Sequence, residues 1–231
     1  PVDADDRSDL DGVQARLARV LPTLRPDTVV LLSSQLPVGT CARLALEHPA
    51  LHFACSPENL RLGKALEAFE KPARIIVGAP AAARATLEKM LTHIGAPLVW
   101  MRPESAEMVK HALNSFLALS VAYINEIATL SETVGADAQE VAAGLKSDPR
   151  IGARAYLGPG GPFAGGTLAR DVVTLTQLGQ AHNLPLALIP AIKESNDRHR
   201  GWAYRKLQSV LAGVPSPIVA VLGLAYTPNT S

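Results

Sequence analysis

The sequence ESAEMVKHALNSFLALSVAYINEIATLSE, residues 104–132, carries the longest unbroken helical period in the chain. Its apolar residues recur at steps of three and four, without glycine or proline, so a helix of about eight turns is expected. The apolar positions cover more than one side, which is typical of a helix packed between two partners. Lys110 and Asn114 lie four residues apart and share one face. These two residues, and Asn125 and Glu126 further along the helix, either meet solvent or point into a cleft.

Composition indicates a globular chain of one or two domains, because 231 residues with 48% hydrophobic content are enough for a core. A formal net charge of +1 gives no reason to expect nucleic acid or an anionic membrane as partner. No window approaches the roughly 20 uninterrupted apolar residues of a membrane helix. The two cysteines lack metal-ligand spacing and the histidines are scattered, so no metal site is expected. With no signal peptide at the start, these features favour a reducing cytoplasm.

Strands and helices alternate ahead of the long helix. The run TVVLLS, residues 28–33, is typical of a strand buried on both faces of a parallel sheet, and Thr40 is expected to cap the helix that follows. Further strands are predicted at 52–55, 74–77 and 97–101, and helices at 10–24, 42–48 and 81–93. This alternation predicts a parallel α/β sheet.

The second half is predicted to be helical around one long loop. Helices are expected at 137–145, 167–181 and 191–211, and a buried strand at 217–226. The loop at 147–171 is rich in glycine and proline, and long loops of this kind usually carry a site. The last strand has no predicted sheet partner, and no G-x-G-x-x-G follows a strand. We therefore expect the chain to be part of a longer one.

Eight blocks carry a family resemblance. They are SSQLPVGT (33–40), SPENLRLG (56–63), AEMVKHALNSF (106–116), INEIATLSETVGAD (124–137), DPRIG (148–152), GPFAGGTLARD (161–171), SNDR (195–198) and VLGLAYTPNT (221–230). In this order they resemble the nucleotide-sugar 6-dehydrogenases, the UDP-glucose/GDP-mannose dehydrogenase family. The resemblance implies that residues 1–102 are the second half of an NAD-binding Rossmann-like domain. It also implies a central helical domain at 103–213, which dimerises through its long helix, and the first strand of a nucleotide-binding domain at 214–231.

The family's chemistry is a four-electron oxidation of a sugar C6 alcohol to a carboxylate. It uses two NAD and passes through a cysteine thiohemiacetal and thioester. By resemblance, Lys110 and Asn114 stabilise the developing oxyanion, and Asp171 holds the lysine and a water. Glu58 handles the water that hydrolyses the thioester, and Arg150 reaches the sugar nucleotide of a neighbouring subunit. The remaining implied contacts are Ser34, Gln35 and Glu58 for the cofactor, and Tyr156, Phe163 and Gly165 for the substrate.

The nucleophile departs from the family pattern, because Thr167 stands where the resemblance places the catalytic cysteine. A threonine hydroxyl has a pKa far above that of a thiol and cannot form a thioester. Four further departures are Gln35 at a threonine position, Leu62 at a glutamate position, and Arg170 and Thr227 at lysine positions. Two functions therefore stand side by side: an oxidoreductase that stops at the aldehyde, and a homologue that binds or scaffolds without catalysis.

Several of the assigned residues also have a plain structural reading. Glu58 and Asp171 are each typical of a carboxylate near a helix N-terminus. Arg150 is typical of an exposed surface residue. Cys55 is typical of a small core residue, with a substitute thiol as the less favoured alternative.

Overall fold

The structure is a computed structural model that describes residues 10–58, 65–164 and 166–222. These residues divide into two compact units, one of Leu10–Lys110 together with 220–222, the other of His111–Val219. We call them the sheet unit and the helical unit. The predicted long helix is confirmed and runs from Pro103 to Val134.

The sheet unit has four strands among its described residues, in the order β1-β2-β3-β4. Two short 3-10 helices, Leu21–Thr23 and Thr92–Ile94, directly follow the α-helices that end at Val20 and Leu91. Its elements are α1 (Asp11–Val20), β1 (Val29–Leu32), α2 (Thr40–Glu47), β2 (His52–Cys55), α3 (Ala65–Glu70), β3 (Ile75–Gly78), α4 (Ala81–Leu91), β4 (Leu98–Met101) and the first turns of α5 (Pro103–Val134). The strands and helices predicted for this part of the chain are confirmed to within a few residues.

The predicted α/β class is confirmed, with one departure from parallel pairing. β1 pairs with β2 in parallel, and so does β3 with β4. Helices α2 and α4 provide the crossovers that parallel neighbours need. β2 and β3 are antiparallel and meet only at Cys55 and Gly78. Apolar runs identify strands but carry no information about their direction, so the sequence did not predict this junction.

Apolar side chains of the sheet pack on both of its faces. Phe53 and Cys55 of β2 belong to one buried cluster, whereas Ala54 between them belongs to a second cluster with Val77. Successive side chains of a strand point to opposite faces, so this division shows that both faces are covered. It explains why the strands read as continuous apolar runs rather than alternating ones.

Helix α2 begins at a carboxylate that comes from α5. Oε2 of Glu107 accepts a hydrogen bond from the Gly39 N–H at 2.6 Å, and Oε1 accepts one from the Cys41 N–H at 2.9 Å. The prediction that Thr40 caps this helix was wrong. The N-cap residue is Gly39, in the left-handed region with φ +92°. The Thr40 hydroxyl donates instead to the Pro37 carbonyl, because Glu107 already accepts from the neighbouring helix N–H groups.

The helical unit contains the rest of α5 and four shorter helices among its described residues. These are α6 (Ala138–Ser147), α7 (Leu168–Ala181), α8 (Leu188–His199) and α9 (Trp202–Val210). Asp137 caps α6 by accepting hydrogen bonds from the N–H groups of Gln139 and Glu140. The first two of these helices match the predicted ones closely.

Two predictions for the end of the chain were wrong in the described residues. The single helix expected at 191–211 is two helices, separated at Arg200 and Gly201. Glycine lowers helix propensity by about 1 kcal/mol, and the break lets His199 stack on Trp202 at 5.8 Å between ring centroids. Residues 217–222 form no strand, and Ile218 is 99% exposed. A strand needs a neighbour to satisfy its backbone, and none pairs with these residues. The remainder of that predicted strand lies outside the described residues.

Within the described ranges, α5 is long and apolar enough to cross a membrane by length and composition alone. The long core helix of a soluble protein passes the same test. In α5, Ala118, Ala122 and Ile124 are buried inside the helical unit, which is the behaviour of a core helix.

Candidate active site

A buried polar network joins α5 and α7 in the helical unit. Asp171, in the first turn of α7, has no solvent exposure. Its Oδ1 accepts a hydrogen bond from Nδ1 of His111 at 2.8 Å, and its Oδ2 accepts one from the side-chain amide of Asn114. The Arg170 guanidinium lies 3.8 Å from the same Oδ2. We call Asp171, His111 and Asn114 the carboxylate network.

The carboxylate network fixes the Asn114 amide in one orientation. A buried carboxylate without partners costs several kcal/mol, so Asp171 requires these two donors. His111 and Asn114 are three residues apart on α5 and therefore share a face. A preorganised amide of this kind is suited to donating a hydrogen bond to a developing oxyanion.

Lys110 is the last residue of the sheet unit and lines a small cavity there. The cavity lies at the carboxyl ends of β1 and β2 and has a volume of about 10 Å³. The other lining residues are Leu32, Ser34, Gln35, Leu36, Cys55, Pro57 and Glu107. This volume is close to that of one water molecule. The structure thus brings Ser34, Gln35 and Lys110 to one place.

The glycine-rich loop before α7 is held by two buried asparagines. Oδ1 of Asn125 accepts from the Gly160 N–H at 2.9 Å, and its Nδ2 donates to the Gly161 carbonyl at 3.2 Å. Asn196 does the same for Phe163, accepting from its N–H at 2.9 Å and donating to its carbonyl at 3.0 Å. Each asparagine side chain therefore clamps the loop backbone through one accepted and one donated hydrogen bond.

Thr167 ends this loop as the N-cap residue of α7. Its side chain is exposed and makes no capping hydrogen bond, while its carbonyl accepts from the Asp171 N–H at 3.3 Å. Its position next to α7 puts it one helical turn before the carboxylate network. Gly165, together with Leu62 and Thr227, lies outside the described residues.

The other predicted substrate residues have different environments. Phe163 is 8% exposed and packs in the apolar cluster that contains Ala118 and Ile192. Tyr156 is exposed. Arg150 is 88% exposed at its side chain and pairs with Asp148, with Nη2 2.7 Å from Oδ2 and Nε 3.0 Å from Oδ1.

The Arg150–Asp148 pair changes the acidity of the carboxyl. The guanidinium and backbone N–H of Arg150 donate to Asp148, and these bonds lower the pKa of Asp148 below its ordinary 3.8. Glu58 is exposed at the end of a described segment.

Sequence reasoning missed two residues of this region: His111 and Asn196. Both are polar residues on otherwise apolar helix faces, which is the signal that could have identified them. Their partners lie 60 and 33 residues away in sequence, so the sequence did not indicate which groups they bind. Asn125, which the sequence left open between solvent and a cleft, is buried against the loop backbone.

Two family models match most of the chain. The model of the UDP-glucose/GDP-mannose dehydrogenase NAD binding domain matches residues 1–95, and that of the central domain matches residues 104–198. The chain belongs to the UDP-glucose/GDP-mannose dehydrogenase family. The central-domain match contains all of the carboxylate network and Thr167.

Relatives of this family agree over nearly the whole chain. UDP-glucose 6-dehydrogenase of Rhizobium meliloti is 35% identical over 240 residues, covering 98% of this chain and 54% of the relative. UDP-glucose 6-dehydrogenase TuaD of Bacillus subtilis is 33% identical, covering 100% and 52%. The structure of a UDP-glucose dehydrogenase from Pyrobaculum islandicum superposes with a TM-score of 0.86 at 33% identity, covering 98% and 55%. The chain thus spans about half the length of these relatives, and its Rossmann-like and helical fold class is confirmed.

Two polar residues lie at the edge of the sheet where a dinucleotide would be expected. Ser34 and Gln35 offer a hydroxyl and an amide at the carboxyl edge of the strands, where nucleotides bind in α/β sheets. Pyrophosphate usually sits on a helix N-terminus, but Glu107 already occupies that of α2. The described residues therefore place polar groups at this edge of the sheet, and the start of α2 offers no pyrophosphate cradle.

Proposed function

We propose that this chain is part of a nucleotide-sugar dehydrogenase that oxidises the C6 hydroxyl of a UDP- or GDP-sugar. The observation that carries the proposal is the carboxylate network, which lies within the matched central domain and holds an amide donor in place. For the whole protein we propose residues 1–102 as part of the NAD domain, 103–213 as the central domain and 214–231 as the start of a third. Its location is the cytoplasm, which agrees with two free, buried cysteines.

The proposed roles follow from charge and hydrogen bonding. Lys110 and Asn114 stabilise the alkoxide that forms when the C6 hydroxyl loses its proton, and Asp171 holds Asn114. Removing one such preorganised donor typically costs about 3–4 kcal/mol of transition-state stabilisation. Glu58 orients water, and Arg150 serves the sugar nucleotide of a neighbouring subunit. NAD, when bound, supplies the hydride acceptor, and Ser34, Gln35 and Glu58 are its proposed contacts in this chain.

Tyr156, Phe163 and Gly165 complete the proposed substrate surface. Tyr156 is exposed and available for contact through its ring and hydroxyl. The Phe163 side chain is buried, so its proposed contribution comes from the backbone that Asn196 clamps.

Thr167 limits the proposed reaction to its first half. Oxidation to the aldehyde needs a proton acceptor and a hydride acceptor but no covalent intermediate. Oxidation of the aldehyde to the acid needs an added oxygen nucleophile or a thiol, and a threonine hydroxyl is a poor nucleophile. We therefore expect the aldehyde as the main product, with slow acid formation through its hydrate.

The second candidate is a homologue that binds a sugar nucleotide without oxidising it. The observation that favours it is Thr167, which is exposed and whose hydroxyl makes no capping hydrogen bond at the start of α7. This candidate predicts substrate binding with no NADH formed under any condition.

A second copy of the chain is the proposed partner at α5. Phe116, Tyr123 and Leu130 are 65%, 48% and 61% exposed and follow one another at seven-residue intervals. Such spacing places them along one side of the helix as a continuous apolar stripe. A stripe of this size is usually covered by another protein surface, so we propose a homodimer that buries it.

The test is product stoichiometry with the complete protein that carries this chain. UDP- and GDP-sugars are supplied with NAD, and NADH, aldehyde and uronic acid are quantified together. We expect about one NADH per sugar from the natural protein, and a larger share of acid from Thr167→Cys. Thr167→Ser is the matched control, because it keeps a hydroxyl and should leave the product unchanged.

Two outcomes would contradict the proposal. Two NADH per sugar from the natural protein, unchanged in Thr167→Cys, would show that Thr167 does not limit the reaction. Sugar-nucleotide binding without NADH in either protein would favour the binding homologue.

A further inference from the structure

Two cysteines and a carboxylate meet in the interior of the sheet unit. Cys41 lies in the first turn of α2, Cys55 ends β2, and Glu107 comes from α5. Their ligand atoms, two Sγ and one carboxylate oxygen, all lie within 4.8 Å of one another. The three residues are 2%, 3% and 4% exposed. The cysteines are 14 residues apart in sequence, a spacing that matches no short metal-binding motif.

The surroundings hold the three side chains in place. The Cys55 thiol donates to the Pro103 carbonyl at 3.4 Å, and the Glu107 oxygens accept from the N–H groups of Gly39 and Cys41.

We propose that Cys41, Cys55 and Glu107 form a binding site for a thiophilic divalent cation, with zinc as the first candidate. Zinc takes thiolate and carboxylate ligands together in tetrahedral sites, and thiolates select it over harder cations. Binding breaks two S–H bonds, releases two protons to solvent, and forms two metal–sulfur bonds and one metal–oxygen bond. No electrons are transferred, so the step needs no oxidant or reductant.

The geometry requires little adjustment. Zinc–sulfur bonds of about 2.3 Å in a tetrahedron place the two sulfur atoms about 3.8 Å apart. The observed limit of 4.8 Å means that each pair of ligand atoms closes by no more than about 1 Å. The two backbone N–H groups on Glu107 use one lone pair of each carboxylate oxygen and would orient the ligand as outer-shell partners do.

The fourth coordination position has a place beside the cluster. The cavity of about 10 Å³ is lined by Cys55 and Glu107, and by Lys110, and it has room for one water. Two thiolates, a carboxylate and a dication leave a net charge of −1, which the Lys110 ammonium on the cavity wall offsets. The proposal does not rest on the proposed dehydrogenase function, because its three ligands all lie in the sheet unit, although the cavity is shared with Ser34, Gln35 and Lys110.

The test is metal binding by the full chain, reduced with a phosphine and freed of metal by a chelator. Co²⁺ and Cd²⁺ are titrated separately, and thiolate-to-metal charge-transfer absorption is recorded. Because Cys41 and Cys55 are the only cysteines of the 231 residues, any such absorption comes from them. We expect saturation at about one ion per chain, displacement by Zn²⁺, and a melting temperature about 5–10 °C higher at roughly 100-fold excess of zinc over Kd.

Single substitutions separate the ligands. Cys41→Ser and Cys55→Ser should each abolish tight binding, while Glu107→Gln should keep the sulfur absorption and weaken affinity at least about 10-fold. Glu47→Gln, an exposed carboxylate of the same α2 helix, is the matched control and should bind as the natural chain does. Each variant is compared with its own metal-free melting curve, so that a loss of folding is not read as a loss of binding.

Three results would overturn the proposal. One is the absence of charge-transfer absorption in the natural chain. Another is undiminished absorption in either serine variant. The third is saturation at one ion per two chains with dimer formation, which would show that the metal bridges molecules instead of entering this cluster.

Discussion

Glu107→Gln should strongly destabilise the sheet unit. The carboxylate satisfies two buried N–H groups at the start of α2, at 2.6 and 2.9 Å. In the glutamine variant one N–H keeps a neutral acceptor and the other faces an NH₂ group. Losing a charged acceptor and leaving one buried donor unsatisfied together cost about 2–4 kcal/mol. For a chain of this length, that corresponds to a melting temperature lower by about 5–15 °C.

Urea unfolding followed by tryptophan fluorescence measures this loss. The chain has two tryptophans, Trp100 in β4 and Trp202 in α9, so a Trp202→Phe background makes the signal report the sheet unit alone. Glu88→Gln removes an exposed carboxylate from α4 and should change stability by less than about 0.5 kcal/mol. Should Glu107→Gln prove no more destabilising than Glu88→Gln, the assignment of Glu107 as the cap of α2 is refuted.

Three further predictions follow from the described geometry. Phe116→Asp should yield a monomer in light-scattering measurements, whereas Leu46→Asp, also exposed, should not; a dimer that survives Phe116→Asp contradicts the α5 interface. Calorimetry on residues 1–231 alone should give a Kd for NAD weaker than about 1 mM, which corresponds to a binding free energy of about −4 kcal/mol. The reason is that no pyrophosphate cradle is available at α2. Tight NAD binding would overturn this prediction. NMR titration should place the Asp148 pKa below 3.8 and Arg150→Gln should raise it. A carboxyl whose pKa is lower in the folded than in the unfolded protein stabilises the folded state above the unfolded-state pKa. The natural chain should therefore be more stable than Arg150→Gln above about pH 4, and this difference should vanish as the pH falls through the folded-state pKa.

Local patterns predicted most elements because each depends on nearby residues. The period of α5 and the apolar run of β1 follow directly from side-chain spacing. What the sequence did not predict depends on distant groups. The Glu107 cap joins residues 68 and 66 positions apart, and the antiparallel junction of β2 and β3 depends on one contact between Cys55 and Gly78.

In the candidate site, too, the sequence predicted some residues and not others. Asn114 and Asp171 were predicted by resemblance, and the structure joins them directly. His111 shares that network, but the sequence showed only a polar residue on an apolar helix face and did not indicate Asp171 as its partner. Arg150 and Glu58 remain predictions, because their proposed partners are a second subunit and a bound molecule.

The hydrogen bonds from Asn125 and Asn196 fix the backbone of the glycine-rich loop without involving the side chain at position 167. The side chains of Asn125 and Asn196 hydrogen-bond to backbone atoms of residues 160, 161 and 163, so this anchoring does not use the loop's own side chains. We therefore expect Thr167→Cys to leave the backbone of the loop in place. A scaffold of this kind would let the side chain at position 167 change while the fold that presents it remains the same.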